Sequence, residues 1–110
     1  MTFGDDRDYM WEGYFAGLTE PRHKQAVEYL RTLPIEVIAF DDVARSKQIV
    51  DQQVKELKAA GAEALFVHLP CWATPNIVVR AVQGMSLPTV TMTSKSAATH
   101  GMVGLFAAAG

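Results

Sequence analysis

"ALFVHLPCWATPNIVVRAVQG", residues 64–84, carries the pattern that decides the fold. An aromatic and β-branched run at 64–69 is followed by a loop that sets the chain's only cysteine beside a tryptophan. Thr74 and Pro75 then open a helical pattern, because a proline at the first helical position gives up an N–H that has no intrahelical partner. Ile77, Val78, Ala81 and Val82 recur at helical spacing, and Gly84 supplies a stop. Strand, loop and helix in that order are the first two-thirds of a βαβ unit.

Working outward, the same alternation recurs. "IEVIAF" (35–40) and "LPTVTM" (87–92) are short apolar runs bounded by Pro, Gly or Asp, and they predict further strands. Residues 20–33 predict a helix with Pro21 near its start and Ala26, Val27, Leu30 and Leu33 on one face. Ser46 is placed to cap another, with Ile49, Val50, Val54 and Leu57 as its buried stripe and Gly61 as the left-handed residue beyond it. "MTF" reads as the last residues of a first strand, while "THGMVGLFAAAG" (99–110) starts like a helix and ends without a cap.

Strands alternating with amphipathic helices imply right-handed parallel crossovers. The expected fold class is α/β, a Rossmann-like or flavodoxin-like three-layer sandwich with a parallel sheet of about four strands in the order 2-1-3-4. Residues 1–110 form a single α/β domain on this reading, a fragment cut at both ends.

Composition narrows the function classes. With 49% hydrophobic and 20% charged residues the chain is that of a folded globular protein. Ten basic residues against twelve acidic ones, with no basic block, leave nucleic acid without an electrostatic footprint. No apolar stretch approaches the roughly 20 residues of a membrane span, and no signal peptide opens the chain. One cysteine excludes an internal disulfide, so a cytoplasmic location is expected.

In a sheet of this type ligands bind at the carboxyl ends of the strands, where neighbouring loops diverge. The order 2-1-3-4 brings "GDDRDY" (4–9) and "PCWATP" (70–75) to that place. Arg7 offers a planar fork for a carboxylate, phosphate or sugar hydroxyl, or else it is a solvated charge beside aspartates that cap the next helix. Trp72 stacks on a sugar face or folds back over the sheet edge, and the pattern leaves both readings open. Cys71 reads as a small buried apolar residue, since no basic neighbour lowers its pKa. Trp11, Tyr14, Phe15 and Leu18 fall at helical spacing and predict one buried face, part of which is free to meet another subunit. The loop "TSKSAATHG" (93–101), rich in hydroxyls, with Lys95 and an expected helix N-terminus near Thr99 and His100, is a place that can hold an anion through backbone N–H groups, but it lacks the glycine pattern of a phosphate or dinucleotide loop. The three histidines have no metal-ligand spacing.

"FGDDRDYMWEGYFAGLTEPRH" (3–23), "PCWATPNIVVRAVQ" (70–83) and "LPTVTMTSKSAATHGMVGL" (87–105) together resemble the N-terminal domain of L-fucose isomerase-like proteins, in the wider L-fucose and L-arabinose isomerase group. The resemblance implies a parent enzyme that converts an aldose to a ketose with a divalent metal, typically manganese, and that assembles as a homo-oligomer. In that group the metal ligands and the acid/base carboxylates belong to later domains, so no catalytic or metal residue is expected here. Arg7 and Trp72 are the substrate-binding residues the resemblance carries over, with the remaining domains of the same protein and an aldose as partners. A stand-alone, non-catalytic interaction or sugar-sensing module is the competing reading.

Overall fold

The computed structural model describes residues 1–93. The loop and helix expected from Ser94 onward, including Lys95, Thr99 and His100, lie outside the described residues.

A long helical run, α1, comprises Asp8–Met10, a π-helical turn at Trp11–Phe15 and an α-helical body at Ala16–Arg31. Helix α2 is Lys47–Ala59, strand β1 is Leu65–Leu69, helix α3 is Pro75–Met85 and strand β2 is Thr89–Thr93. The two strands pair in parallel, with Leu65 opposite Thr89 and Leu69 opposite Thr93. On the other side of β1 the chain contributes isolated parallel bridges, Thr2 to His68 and Phe3 to Ala44. The described residues therefore show a mixed α/β arrangement with a two-stranded parallel sheet flanked by two bridges, and not a four-stranded sheet.

Alternation along β1 sorts its side chains between two faces. Leu65, Val67 and Leu69 are buried, and they pack with Phe3, Val50, Leu57, Ile77, Val78 and Ala81 into the main core beneath α2 and α3. Phe66 and His68 face the opposite side, where His23 of α1 approaches through Thr2.

Helix α2 follows its sequence signals. Ser46 accepts a hydrogen bond from the Ile49 N–H at 3.2 Å, and Gly61 takes φ 75° beyond the last turn. Helix α3 starts at Pro75 as expected, but it runs through Gly84 and ends with Ser86 in the left-handed region at φ 50°. Gly84 is instead a contact glycine: a Cβ there would stand 3.5 Å from Val54 Cγ1, so the residue marks where α2 and α3 touch.

Two expectations are corrected. Residues 35–40 form no strand, and Ile35 and Ile38 are 47% and 39% exposed. A β-branched run becomes a strand only beside a backbone that can exchange hydrogen bonds with it. With Phe3 opposite Ala44, counting back two residues sets Asp42 opposite Met1, and residues 35–40 fall opposite no described residue.

The second correction concerns α1, which begins well before Glu20 and holds Pro21 in its interior. Upstream, the Ala16 N–H reaches back five residues to the Trp11 carbonyl, and this wide turn inserts a residue into the helical register. Trp11 and Phe15 are both buried as a result, Tyr14 turns out to 51% exposure, and Thr19 turns fully in.

Gly4 fixes the approach of α1 to the bridge segment. A Cβ on it would lie 2.8 Å from Trp11 Cζ3 and 3.1 Å from Val43 Cγ1. Gly4→Ala is expected to lower the unfolding free energy by about 1–3 kcal/mol, the usual cost of overpacking a fitted site, in urea denaturation. An unchanged midpoint would mean that the indole has room to move.

Candidate functional site

The loops that follow the bridge segment and β1 do meet. The Asp6 N–H donates to Thr74 Oγ1 at 3.3 Å across 68 residues of sequence. Thr74 is the N-cap residue of α3, and its hydroxyl caps nothing in its own helix. It holds the first loop in place of a helix N–H.

Asp5 organises that loop. Its carboxylate is fully buried and accepts from the Arg7 backbone N–H at 2.9 Å, from Arg7 Nε at 2.9 Å and from Arg7 Nη2 at 2.6 Å. These bonds hold the Asp5 carboxyl below the usual carboxylate range, against the opposing effect of burial. The aspartates do not cap the next helix as expected: Arg7 is the N-cap residue, and no side chain caps that end. Asp8 pairs with Arg45 Nη2 at 2.9 Å, while Arg45 Nε donates to the Asp5 carbonyl at 2.9 Å. The Arg45 guanidinium also stands 4.7 Å above the Trp11 ring.

Arg7 is thus neither a freely solvated charge nor a committed structural one. Asp5 engages two of the five N–H donors that a guanidinium carries, and the side chain remains 45% exposed beside the Tyr9 ring. Fixed in orientation and open to solvent, it can present further donors to an oxygen-rich ligand.

Trp72 packs, partly buried, on a second apolar cluster formed by Trp11, Phe15, Val43 and Cys71. Cys71 is fully buried, and burial pushes its thiol up. Arg22 Nη1 donates to the Pro70 carbonyl at 2.7 Å and ties the start of this loop to α1. The chain therefore places Arg7 and Trp72 on two adjoining loops, Arg7 on an ionic network and Trp72 on an aromatic floor.

Arg45 was not singled out by sequence reasoning, and neither was the part that Thr74 plays in holding the first loop. No local signal marks Arg45, whose partners lie 37 and 40 residues away. Thr74 was legible only as a cap.

A metal does not fit these residues. Both Asp5 oxygens are engaged by Arg7, and among the described residues no group of three His, Cys, Asp or Glu side chains is placed to hold one. Among the described residues no helix is long and apolar enough to cross a membrane. No protein-family model, curated protein or solved structure matches the chain.

A second polar group lies on the α1 face of β1. His23 Nε2 meets the Phe40 carbonyl at 2.6 Å, and a carbonyl only accepts, so the proton of neutral His23 is on Nε2. His23 Nδ1 then accepts from the Thr2 hydroxyl at 2.6 Å, which in turn accepts from His68 Nδ1 at 3.1 Å. Burial, reinforced by nearby positive groups, lowers the His68 pKa from 6.5 to about 4.

The unfolded chain therefore takes up a proton at His68 before the folded one does, and stability falls as pH drops from about 6.5 to about 4. The loss attributable to His68, discounted for its partial exposure, is on the order of 2 kcal/mol. Urea titrations at pH 7 and pH 4.5 should show a smaller decline for His68→Gln than for the natural chain. Equal declines would assign the acid sensitivity elsewhere.

Proposed function

We propose that the chain is the N-terminal substrate-pocket and oligomerisation domain of a metal-dependent aldose–ketose isomerase of the L-fucose isomerase-like group. The observation that carries this reading is the Asp6 to Thr74 hydrogen bond, which joins the loop of Arg7 to the loop of Trp72. The finer fold belongs to the same proposal: a parallel sheet of order 2-1-3-4, with residues 1–3 in the place of strand 1 and, since residues 35–40 are no strand, the bridge at Ala44 in the place of strand 2. The bridges of Phe3 to Ala44 and of Thr2 to His68, beside the parallel pairing of β1 with β2, support that order.

In this role Arg7 donates to sugar hydroxyls and Trp72 lends its ring to the apolar face of the sugar. Both act by positioning, and neither moves a proton between carbons. Manganese and the groups that shuttle the proton are contributed by the remaining domains of the parent protein, so this chain alone is inactive. Tyr9 and Tyr14, 71% and 51% exposed on the first turns of α1, offer a contact surface for those domains or for another subunit of a cytoplasmic homo-oligomer.

The test is direct binding. Aldoses titrated into the isotope-labelled chain should shift the Trp72 indole N–H and the Arg7 Nε–H resonances together, at millimolar concentration, with no ketose formed. Arg7→Lys keeps the charge on Asp5 but loses the fork, and should weaken binding several-fold without unfolding the chain. If a panel of aldoses leaves both resonances unmoved, the pocket assignment fails.

A further inference from the structure

The carbonyl of Asp5 and the N–H of Asp6 are the two ends of one peptide unit, and each end is held from a different part of the chain. Arg45 Nε donates to the Asp5 carbonyl at 2.9 Å, and the Asp6 N–H donates to Thr74 Oγ1 at 3.3 Å. The holders stand 40 and 68 residues away in sequence. A peptide unit is planar and stiff, so fixing both of its ends leaves it little freedom to turn. Its neighbours inherit that restraint: Asp5, on one side of it, takes the Arg7 guanidinium through Nε and Nη2.

Backbone pairing brings Arg45 to this place. The Gly4 N–H donates to the Ala44 carbonyl at 3.2 Å, and a Cβ on Gly4 would lie 3.2 Å from Arg45 Cγ, so the glycine leaves the passage that the arginine stem takes towards Asp5. The same guanidinium pairs with Asp8 at 2.9 Å and lies over the ring of Trp11, which belongs to the floor on which Trp72 packs. Arg45 therefore touches both what orients Arg7 and what supports Trp72. Thr74 has no competing duty, since its hydroxyl caps nothing in α3. Of the two bonds to the peptide, that of Arg45 is the shorter and carries the charge, and by polarising the carbonyl it strengthens the N–H donor of the same unit.

We propose that Arg45 and Thr74 are positioning residues of the pocket, a role that rests on the sugar-binding reading above: together they clamp the Asp5–Asp6 peptide and so set the direction in which Arg7 presents its remaining donors. Neither touches the ligand in this role. Because both act on one peptide, loss of either releases it, and loss of both adds little.

Thr74→Val removes the acceptor and keeps the shape, Thr74→Ser restores the acceptor, and Arg45→Met keeps most of the stem and removes the donors. In the isotope-labelled chain without ligand, Thr74→Val and Arg45→Met should lower the Asp6 amide order parameter from roughly 0.85 to below about 0.6 and shift the Arg7 Nε–H resonance. The amides of Val50 and Val67 should stay as they are, and Thr74→Ser should match the natural chain. L-fucose and L-arabinose, titrated as probes, should bind about five-fold more weakly to each variant, the worth of one hydrogen bond. The double variant should lose no more than about ten-fold, against the roughly 25-fold expected of independent sites. Should Arg45→Met unfold the chain, the Thr74 pair decides alone.

Unchanged Asp6 and Arg7 signals would overturn the proposal. So would loosening shared equally by Val50 and Val67, which would make both residues merely structural. Full sugar affinity in a variant whose Arg7 has loosened, or a double variant at the full product, would overturn it as well. The clamp is read without ligand, so a natural chain that binds neither sugar sinks the pocket reading, while the Asp6 and Arg7 signals still decide the clamp.

Discussion

The parallel pairing of Thr2 and Phe3 between His68 and Ala44 is the constraint on which the rest of the molecule depends. It is short, yet it fixes the direction in which the chain leaves the sheet at Gly4. From there the loop of Asp5 to Arg7 must lie beside the loop that leaves β1, because both exits are at the same end of neighbouring strands. Lateral pairing three residues earlier therefore decides which side chains become neighbours across 68 residues. The same two rungs divide the helices: Thr2 turns towards α1, and Phe3 turns into the core under α2 and α3.

Burying Asp5 beside that exit imposes the next constraint. A buried carboxylate is costly without matched donors, and Arg7 supplies three within its own turn. Arg45 adds a bond to the Asp5 carbonyl and lies over Trp11, so the ionic network and the aromatic floor share one guanidinium. Displacing the first loop would break the bond of Arg45 to the Asp5 carbonyl and its pair with Asp8 together. A pocket built at this junction inherits that stiffness, which is what a positioning site needs.

Helices α2 and α3 and strand β1 were legible because their signals are local: a hydroxyl at the cap, an apolar stripe at the right period, an alternating run. The π turn was not, since a bond five residues back is chosen by what it buries, and here it sinks both Trp11 and Phe15 at the expense of Tyr14. Pro21 resembles a helix start for sound reasons, but the exposed turn at Gly17 leaves the bond it forgoes to water, and the helix continues. Gly84 reads as a stop and is used for close approach, which only the position of Val54 reveals. At the site, three aspartates flank Arg7 within four residues, and nothing in their order says that Asp5 takes the guanidinium while Asp8 takes Arg45.

Residues 35–40 show the same distinction at the level of the sheet. Their composition is that of a strand, and that much is a property of the sequence; their being paired is a property of the neighbour. Intrinsic β preference spans only about 1 kcal/mol per residue from the worst residue to the best, which does not exceed the roughly 1–2 kcal/mol per residue that fixing the backbone costs. A segment with the right residues and no facing backbone therefore stays outside the ladder, on the wall of a cavity. Local signals place helices almost unaided, whereas a parallel strand exists only as one member of a pair, so the register of Phe3 on Ala44 says more about residues 35–40 than those residues say about themselves.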